Sequence, residues 1–308
     1  MQCGKCGQPA VLVLQHGNLC KKHFLNYFED KVFKTINRYH LIGRAENLCV
    51  ATSGGKDSLT VLHLTQKYLK KYKLKATLFA LAIDEGIADY REKTLSDLQE
   101  FCKKNKVKLK IVSFKDEFGL ELNQAFPKFK TNTNKKPCNV CGVWRRYLLN
   151  KYAKKFGAKL IITGHNLDDE AQVILMNIFK ANTKLAGRLG PISGTGEQEG
   201  FIQRVKPLYF CTEKEVRLYA YLKGFKVHFA ECPYSQQGYR HHIQAMLNDF
   251  ENQYAGTKQG IINSFLELLP QLKQAEPTAQ IKVCKRCQEL ANQDVCNACK
   301  LKEAIIHG

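Results

Sequence analysis

Residues 50–58 read V-A-T-S-G-G-K-D-S, and the rest of the chain is parsed outward from this stretch. The apolar run Leu48, Cys49, Val50 and Ala51 suits a buried strand, and the amphipathic segment beyond the turn carries Leu59, Leu62 and Leu69. Gly54 and Gly55 lack the Cβ atoms that hold a backbone away from a ligand. Successive N–H groups at the helix start can therefore converge on an anion such as phosphate.

Downstream, apolar runs alternate with amphipathic segments. Strand-like residues 77–83 precede a helical pattern through Leu95, Leu98 and Phe101; 109–112 and 160–162 are again strand-like. Strands rich in Val, Ile and Phe separated by helices predict an α/β fold with a doubly wound parallel sheet. Ligands of such sheets bind beyond the carboxyl ends of the strands. Three turns qualify: 53–58, 84–86 and 164–170.

The 53–58 turn is not a Walker A loop. That motif needs a glycine where Val50 stands, and Ser or Thr where Asp57 stands. S-G-G-K-D-S instead resembles the signature of the PP-loop ATP pyrophosphatases, which adenylate an oxygen and release pyrophosphate. The resemblance implies that Ser53, Gly54, Gly55 and Ser58 hold the pyrophosphate end of ATP, that Lys56 offsets its charge, and that Asp57 lies near the loop or a metal. Ala51, Ile83 and Asp84 join the expected nucleotide site. Residues 163–171, T-G-H-N-L-D-D-E-A, resemble the second conserved turn of PP-loop enzymes that modify tRNA. This implies Gly164 and His165 beside the nucleotide and a reactive role for an Asp, here Asp169. From the residues alone, Asp168 and Asp169 read either as helix caps or as Mg²⁺ ligands on a triphosphate.

The chain has 308 residues, 44% of them hydrophobic, enough for one large domain with small appendages. No targeting or membrane segment is read, so a cytoplasmic location is expected. The balance of 48 Lys+Arg against 28 Asp+Glu gives a formal charge of +20, which favours capture of a polyanion, and a nucleic acid is the expected partner.

Thirteen cysteines in such a chain point to metals or catalysis rather than disulfides. Cys3-x-x-Cys6 and Cys20-x-x-His23 form paired knuckles that suit tetrahedral Zn²⁺, as do Cys284-x-x-Cys287 and Cys296-x-x-Cys299. Cys138-x-x-Cys141 alone is ambiguous between zinc, a redox pair and an iron–sulfur site. Cys232 is the remaining cysteine in a polar, turn-like setting. Three thiolates leave a metal site one ligand short, which exposes a coordination position to substrate.

P-C-x-x-C-G-x-x-R-R, the distant Cys-Pro-Tyr, S-G-G-K-D-S and the terminal zinc knuckles together resemble the TtcA/TtuA family of tRNA thiolation enzymes, in its 2-thiouridine synthetase branch. The resemblance implies an ATP-dependent tRNA sulfurtransferase that adenylates the uridine C2 oxygen. Cys138, Cys141 and Cys232 would hold a 4Fe-4S cluster, with Arg145 or Arg146 and Asp169 assisting adenylation. Implied cofactors are ATP, Mg²⁺, two Zn²⁺ and the cluster; implied partners are tRNA, a ubiquitin-like sulfur carrier with a C-terminal thiocarboxylate, and a second copy of the chain. The alternatives are a 2-thiocytidine synthetase and a non-catalytic zinc-ribbon RNA-binding protein.

The expected organisation is an N-terminal zinc knuckle (1–26), a linking helix (27–46), a PP-loop catalytic domain (47–235), a helical segment (236–280) and a C-terminal four-cysteine zinc ribbon (281–308). Residues 130–136 and 187–200 read as mobile connectors, and 227–229 as a strand delivering Cys232. Thr212 to Glu215 predicts a capping box opening a helix through Leu222. Arg240, His241 and His242 suggest RNA contact or simple exposure.

Overall fold

The computed structural model describes residues 1–14, 17–43, 47–132, 136–193, 201–227, 232–235, 238–274 and 281–306, with 130–132 as backbone only. A hairpin of β1 (Ala10–Leu14) and β2 (Gly17–Cys20) leads into helix α1 (Lys21–Arg38), which starts and ends earlier than the linking helix expected over 27–46. Then β3 (Asn47–Ala51), α2 (Lys56–Lys71), β4 (Thr77–Asp84), α3 (Arg91–Lys104) and β5 (Lys108–Ser113) alternate. Helices α4 (Phe114–Phe118), α5 (Leu122–Asn132) and α6 (Pro137–Lys155) precede β6 (Leu160–Ile162), α7 (Leu167–Phe179) and α8 (Thr183–Ala186). Strands β7 (Ile192–Ser193) and β8 (Gln203–Val205) are followed by α9 (Glu213–Leu222), α10 (Tyr239–Gln253) and α11 (Thr257–Gln274). Hairpin β9 (Lys282–Val283) and β10 (Leu290–Ala291), then α12 (Asn297–Ile306), complete the described elements.

The main sheet runs in the order β5-β4-β3-β6-β8-β7, parallel except for β7, which pairs antiparallel with β8. Its central strands are buried on both faces, which is why they read as continuous apolar runs. Alternate side chains feed two cores. Leu48 and Val50, Ala80 and Ala82, and Leu160 and Ile162 pack with Leu59 and Leu62 of α2 and with Phe28 of α1. Cys49, Leu81, Ile83 and Ile161 face Val140, Trp144 and Leu148 of α6. A third core joins α7 to α10 and α11 through Ile174, Leu247, Ile262 and Phe265.

Two segments read as connectors are partly ordered elements. Helix α5 reaches Asn132, and β7 lies within 187–200; the remainder, 133–135 and 194–200, lies outside the described residues. Val227 is not in a strand, and 228–229 fall outside the described residues. The Thr212 capping box is present: the Thr212 hydroxyl accepts from Glu215 N–H at 3.2 Å, and Glu215 accepts from Thr212 N–H at 2.7 Å.

Trp144 fastens α6 to its surroundings. It stacks on Phe118 with ring centroids 4.1 Å apart, and its indole N–H donates to Ala298 O of α12 at 3.2 Å. Trp144→Ala is expected to lower the unfolding free energy by about 3–5 kcal/mol, read by denaturant titration. Half-buried His63, packed edge-on to Phe225, is brought by partial burial and the nearby Lys223 to about 4, below its ordinary 6.5. Its contribution to stability is therefore complete above about pH 6.5 and lost as pH falls toward 4. Unfolding free energy should decline through that window, by at most about 1.4 kcal/mol per pH unit from this group, and His63→Phe should remove that component.

Candidate active site

Strand order reverses at β3: the chain steps outward through β4 to β5, then returns to place β6 on the other side. Loops leaving β3 and β6 diverge, and a crevice opens beyond the strand ends. A cavity of about 300 Å³ lies there. Ala51, Thr52, Ser53, Asp57 and Ser58 form one wall, and Ile83 and Glu85 follow β4. Thr163, Gly164 and His165 follow β6, Arg145, Arg146 and Leu149 come from α6, and Arg91 and Arg204 complete it.

Two glycines set how closely these loops approach. Gly54 has φ +86°, and a Cβ there would stand 2.2 Å from Thr94 O. A Cβ on Gly164 would meet Asp57 C and O at 2.9 Å, so the turn after β6 packs directly on the first turn of α2. No side chain caps α2 at Gly55, which leaves its first N–H groups for a ligand. The Ser58 hydroxyl donates to Gly55 O at 2.9 Å and accepts from Ser53 N–H at 3.2 Å, closing the turn. Gly54, Gly55 and Lys56 stand behind the cavity wall rather than on it.

Charge is organised around this turn. The Lys56 ammonium is 2.9 Å from both Asp57 and Glu213. Asn166 donates to Asp57 at 2.9 Å and caps α7 with Asp169, whose other oxygen meets Arg240 at 2.6 Å. Burial and the nearby Asp169 raise Asp57 above the usual carboxylate range, against the pull of Lys56. His165 is exposed at the cavity, where crowding by its neighbours and the charges of Lys206, Arg240 and Arg145 lower the imidazole below its ordinary value against the pull of Asp169. The imidazole is thus neutral at pH 7, with Nδ1 2.9 Å from the Thr163 hydroxyl. Asp168 points elsewhere: it is ion-paired with buried Lys258 and accepts from Glu213 N–H at 2.7 Å, which takes it from the Mg²⁺ role considered for it. Asp84 does not line the cavity; it accepts from Gly86 N–H at 3.0 Å.

Cys138 and Cys141 lie in the first turns of α6, and with Arg145 and Leu149 their spacing keeps to one helix face. The Cys138 thiol donates to Tyr234 O at 3.5 Å, which brings it to the turn carrying Cys232. Burial pushes the Cys141 thiol up to about 12, with Glu85, Cys232 and Cys138 adding to the rise and Arg145 opposing it. Burial likewise raises Cys232, within the fields of Cys138, Glu85 and Arg145. Arg145 therefore stands between the cysteine trio and the cavity, 3.7 Å from Glu85.

Among the described residues, two further groups bring four donors together: Cys3, Cys6, Cys20 and His23, and Cys284, Cys287, Cys296 and Cys299. In the first, Cys3 and Cys20 sulfurs lie 3.4 Å from His23 Nδ1, and Cys6 to Cys20 is 3.7 Å. In the second, Cys287 to Cys296 is 3.8 Å and Cys284 to Cys299 is 4.0 Å. A tetrahedron with Zn–S bonds of about 2.3 Å has edges of about 3.8 Å, so both groups fit that ion.

The PP-loop domain family matches residues 24–244. The chain is 34% identical over 321 aligned residues to the tRNA 2-thiolation protein NcsA of Haloferax volcanii, covering 99% of each. It is 36% identical to the tRNA-5-methyluridine(54) 2-sulfurtransferase of Pyrococcus horikoshii, over 97% of this chain and 93% of that one. The chain belongs to the PP-loop tRNA 2-thiolation family. A solved member, the U34-tRNA thiolase NcsA from Methanococcus maripaludis with its 4Fe-4S cluster, matches at a TM-score of 0.78 and 30% identity, covering 98% of this chain and 96% of that one.

Several residues of this family member's cavity carry no motif. Arg91 is the clearest: it donates to Ser53 O and Ile83 O at 2.5 Å and pairs with Glu85 at 2.9 Å, tying the ends of β3 and β4 together. A cation at the first position of α3 opposes the helix dipole, and that misfit was its only signal. Glu213 and Arg204 had none. Gly164→Ala is expected to force the β6 turn off α2 and weaken ATP binding about tenfold or more with little loss of helicity, read by nucleotide titration and circular dichroism.

Proposed function

We propose that this chain is an ATP-dependent tRNA 2-thiouridine synthetase. The observation that carries this reading is Arg145, which lines the cavity beyond the glycine turn and shares the electrostatic field of Cys141 and Cys232. Activation and sulfur delivery then meet at one place.

Ser53, Gly54, Gly55, Ser58 and the free N–H groups of α2 hold the pyrophosphate end of ATP, with Lys56 balancing charge and Asp57 near the loop or a Mg²⁺ ion. Ala51 and Ile83 flank the nucleoside, Asp84 braces the turn beyond, and Gly164 and neutral His165 border the reacting phosphate. The uridine C2 oxygen attacks the α-phosphorus, an O–P bond forms, and pyrophosphate leaves with the electron pair of the broken bond. Arg145 steadies the charge developing on the phosphate, and Asp169, oriented by Arg240, assists at the base. A sulfur nucleophile then adds at C2 and AMP departs, leaving C=S where C=O stood.

Cys138, Cys141 and Cys232 would hold the 4Fe-4S cluster, which supplies an iron position open to sulfur when bound. The terminal donor sets would each hold Zn²⁺, two in all. A ubiquitin-like carrier is the proposed sulfur donor and a homodimer the proposed assembly. No helix among the described residues is long and apolar enough to cross a membrane; the proposed location is cytoplasmic.

Nucleoside mass spectrometry of tRNA from cells with and without this chain is expected to show 2-thiouridine only when it is present. Undiminished 2-thiouridine in its absence defeats the proposal, and loss of 2-thiocytidine instead redirects it to the sister activity. Cys138→Ala, purified without oxygen, should lose most iron and sulfide while retaining its zinc.

A further inference from the structure

The cavity's charge is uneven. Its acidic residues are Asp57, already held by Lys56 and Asn166, and Glu85, held by Arg91 with Arg145 beside it. Arg146 and Arg204 have no carboxylate within ion-pair distance among the described residues. They are nonetheless adjacent: the Arg204 guanidinium donates to Arg146 O at 3.1 Å. Burial and the Arg146 charge bring Arg204 down to about 10. Like charges held together without a counterion need an anion from outside.

Position separates this pair from the glycine turn. The turn runs into α2, whose apolar face packs on one side of the sheet with Val50, Ile162 and Val205. Arg204 precedes Val205 in β8 and so projects to the opposite side, the side covered by α6, which carries Arg146. The same helix carries Cys138 and Cys141. A guanidinium pair on the sulfur side of the cavity would stand beside an RNA strand that turned a base toward those cysteines. A splayed base keeps its phosphates, and a backbone phosphate matches the fork of a guanidinium in charge and geometry.

We propose that Arg204 and Arg146 form a subsite for a backbone phosphodiester of the RNA, next to the nucleotide being modified and separate from the turn that takes the phosphates of ATP. This rests on the reading of the chain as a tRNA thiolase. The subsite positions the base; it takes no part in bond making.

The test is a salt titration of tRNA binding by the full chain, by Arg204→Gln and by Arg204→Lys, with ATP affinity measured alongside. Arg204→Gln should weaken tRNA binding about tenfold, reduce the slope of log K against log salt by about 0.7–0.9, and leave ATP affinity within about twofold. Arg204→Lys should restore most of the slope. An unchanged slope overturns the subsite. Weaker ATP binding with an unchanged tRNA slope overturns it too, by assigning the guanidinium to the nucleotide's phosphates. Arg146→Gln, at an exposed helix position, should reduce the slope similarly and decides the matter if Arg204→Gln does not fold. Failure of the unsubstituted chain to bind tRNA overturns the parent reading along with the subsite, whereas tRNA binding with unaltered slopes overturns the subsite alone.

Discussion

Everything at this site depends on the contact between Gly164 and the first turn of α2. Two loops leaving adjacent parallel strands in opposite directions would ordinarily be held apart by side chains. Here a glycine α-carbon rests against the Asp57 carbonyl, with no room for one more carbon. Gly54 makes the equivalent approach to Thr94 on α3. These two contacts draw the ends of β3, β4 and β6 to within reach of one small molecule, and Arg91 ties the first two together through Ser53 O and Ile83 O. Close approach of backbones is what lets N–H groups, rather than long side chains, meet a phosphate. Such donors are already oriented and lose little freedom when a ligand arrives.

Electrostatics then divide the cavity. Around the glycine turn each charge has a partner: Lys56 with Asp57 and Glu213, Asp169 with Arg240, Glu170 with Lys206. A phosphate-bearing ligand at this turn would meet a network whose cations are already held in place. On the α6 side, positive charge exceeds negative, and burial raises the Cys141 and Cys232 thiols. A metal centre would reverse that preference, because a coordinated thiol gives up its proton. The two halves thus differ in character, the proposed reading giving the paired half to the nucleotide and the cationic, cysteine-bearing half to sulfur and RNA.

The fold was legible because its signals are local. Strands 48–51, 79–83 and 160–162 lie at the buried centre of the sheet and so appear as unbroken apolar runs, the edge strand 109–112 shows a mixed run with Lys110 within it and Ile111 exposed, and α2 and α3 show their helical period. Motif residues at the site were legible for the same reason: glycine turns and CxxC pairs are short and chemically distinct, whereas the cap of α7 was read at Asp168 and Asp169 and is Asn166 with Asp169. What stayed hidden is long-range. Arg91 and Arg204 look like ordinary surface charges in their own segments, and only the strand order brings them to the cavity, as it brings Glu213 to Lys56 beside the glycine turn. Asp168 misleads in the opposite direction, since its neighbour Asp169 faces the nucleotide turn while Asp168 is drawn to Lys258, a partner far along the chain. The connector reading of 187–200 missed β7 because a two-residue edge strand has too little pattern to register.

The C-terminal cysteine module has a place in this argument beyond binding a metal. Helix α6 has two working faces. One bears Cys138, Cys141, Arg145 and Leu149 toward the cysteine trio and the cavity; the other bears Val140, Trp144 and Leu148 into the core. A helix positions its outward face only as well as its inward face is held. Trp144 provides that hold, wedged between Phe114 and Phe118, with its indole N–H on Ala298 of α12, one residue before Cys299. The four-cysteine group that flanks α12 therefore braces the helix that carries Cys138 and Cys141. The four-cysteine group at residues 284–299 and the Cys138–Cys141 turn are linked through α6, by Trp144 on Ala298 and by Tyr147 against Cys287, so loosening the first should loosen the geometry of the second.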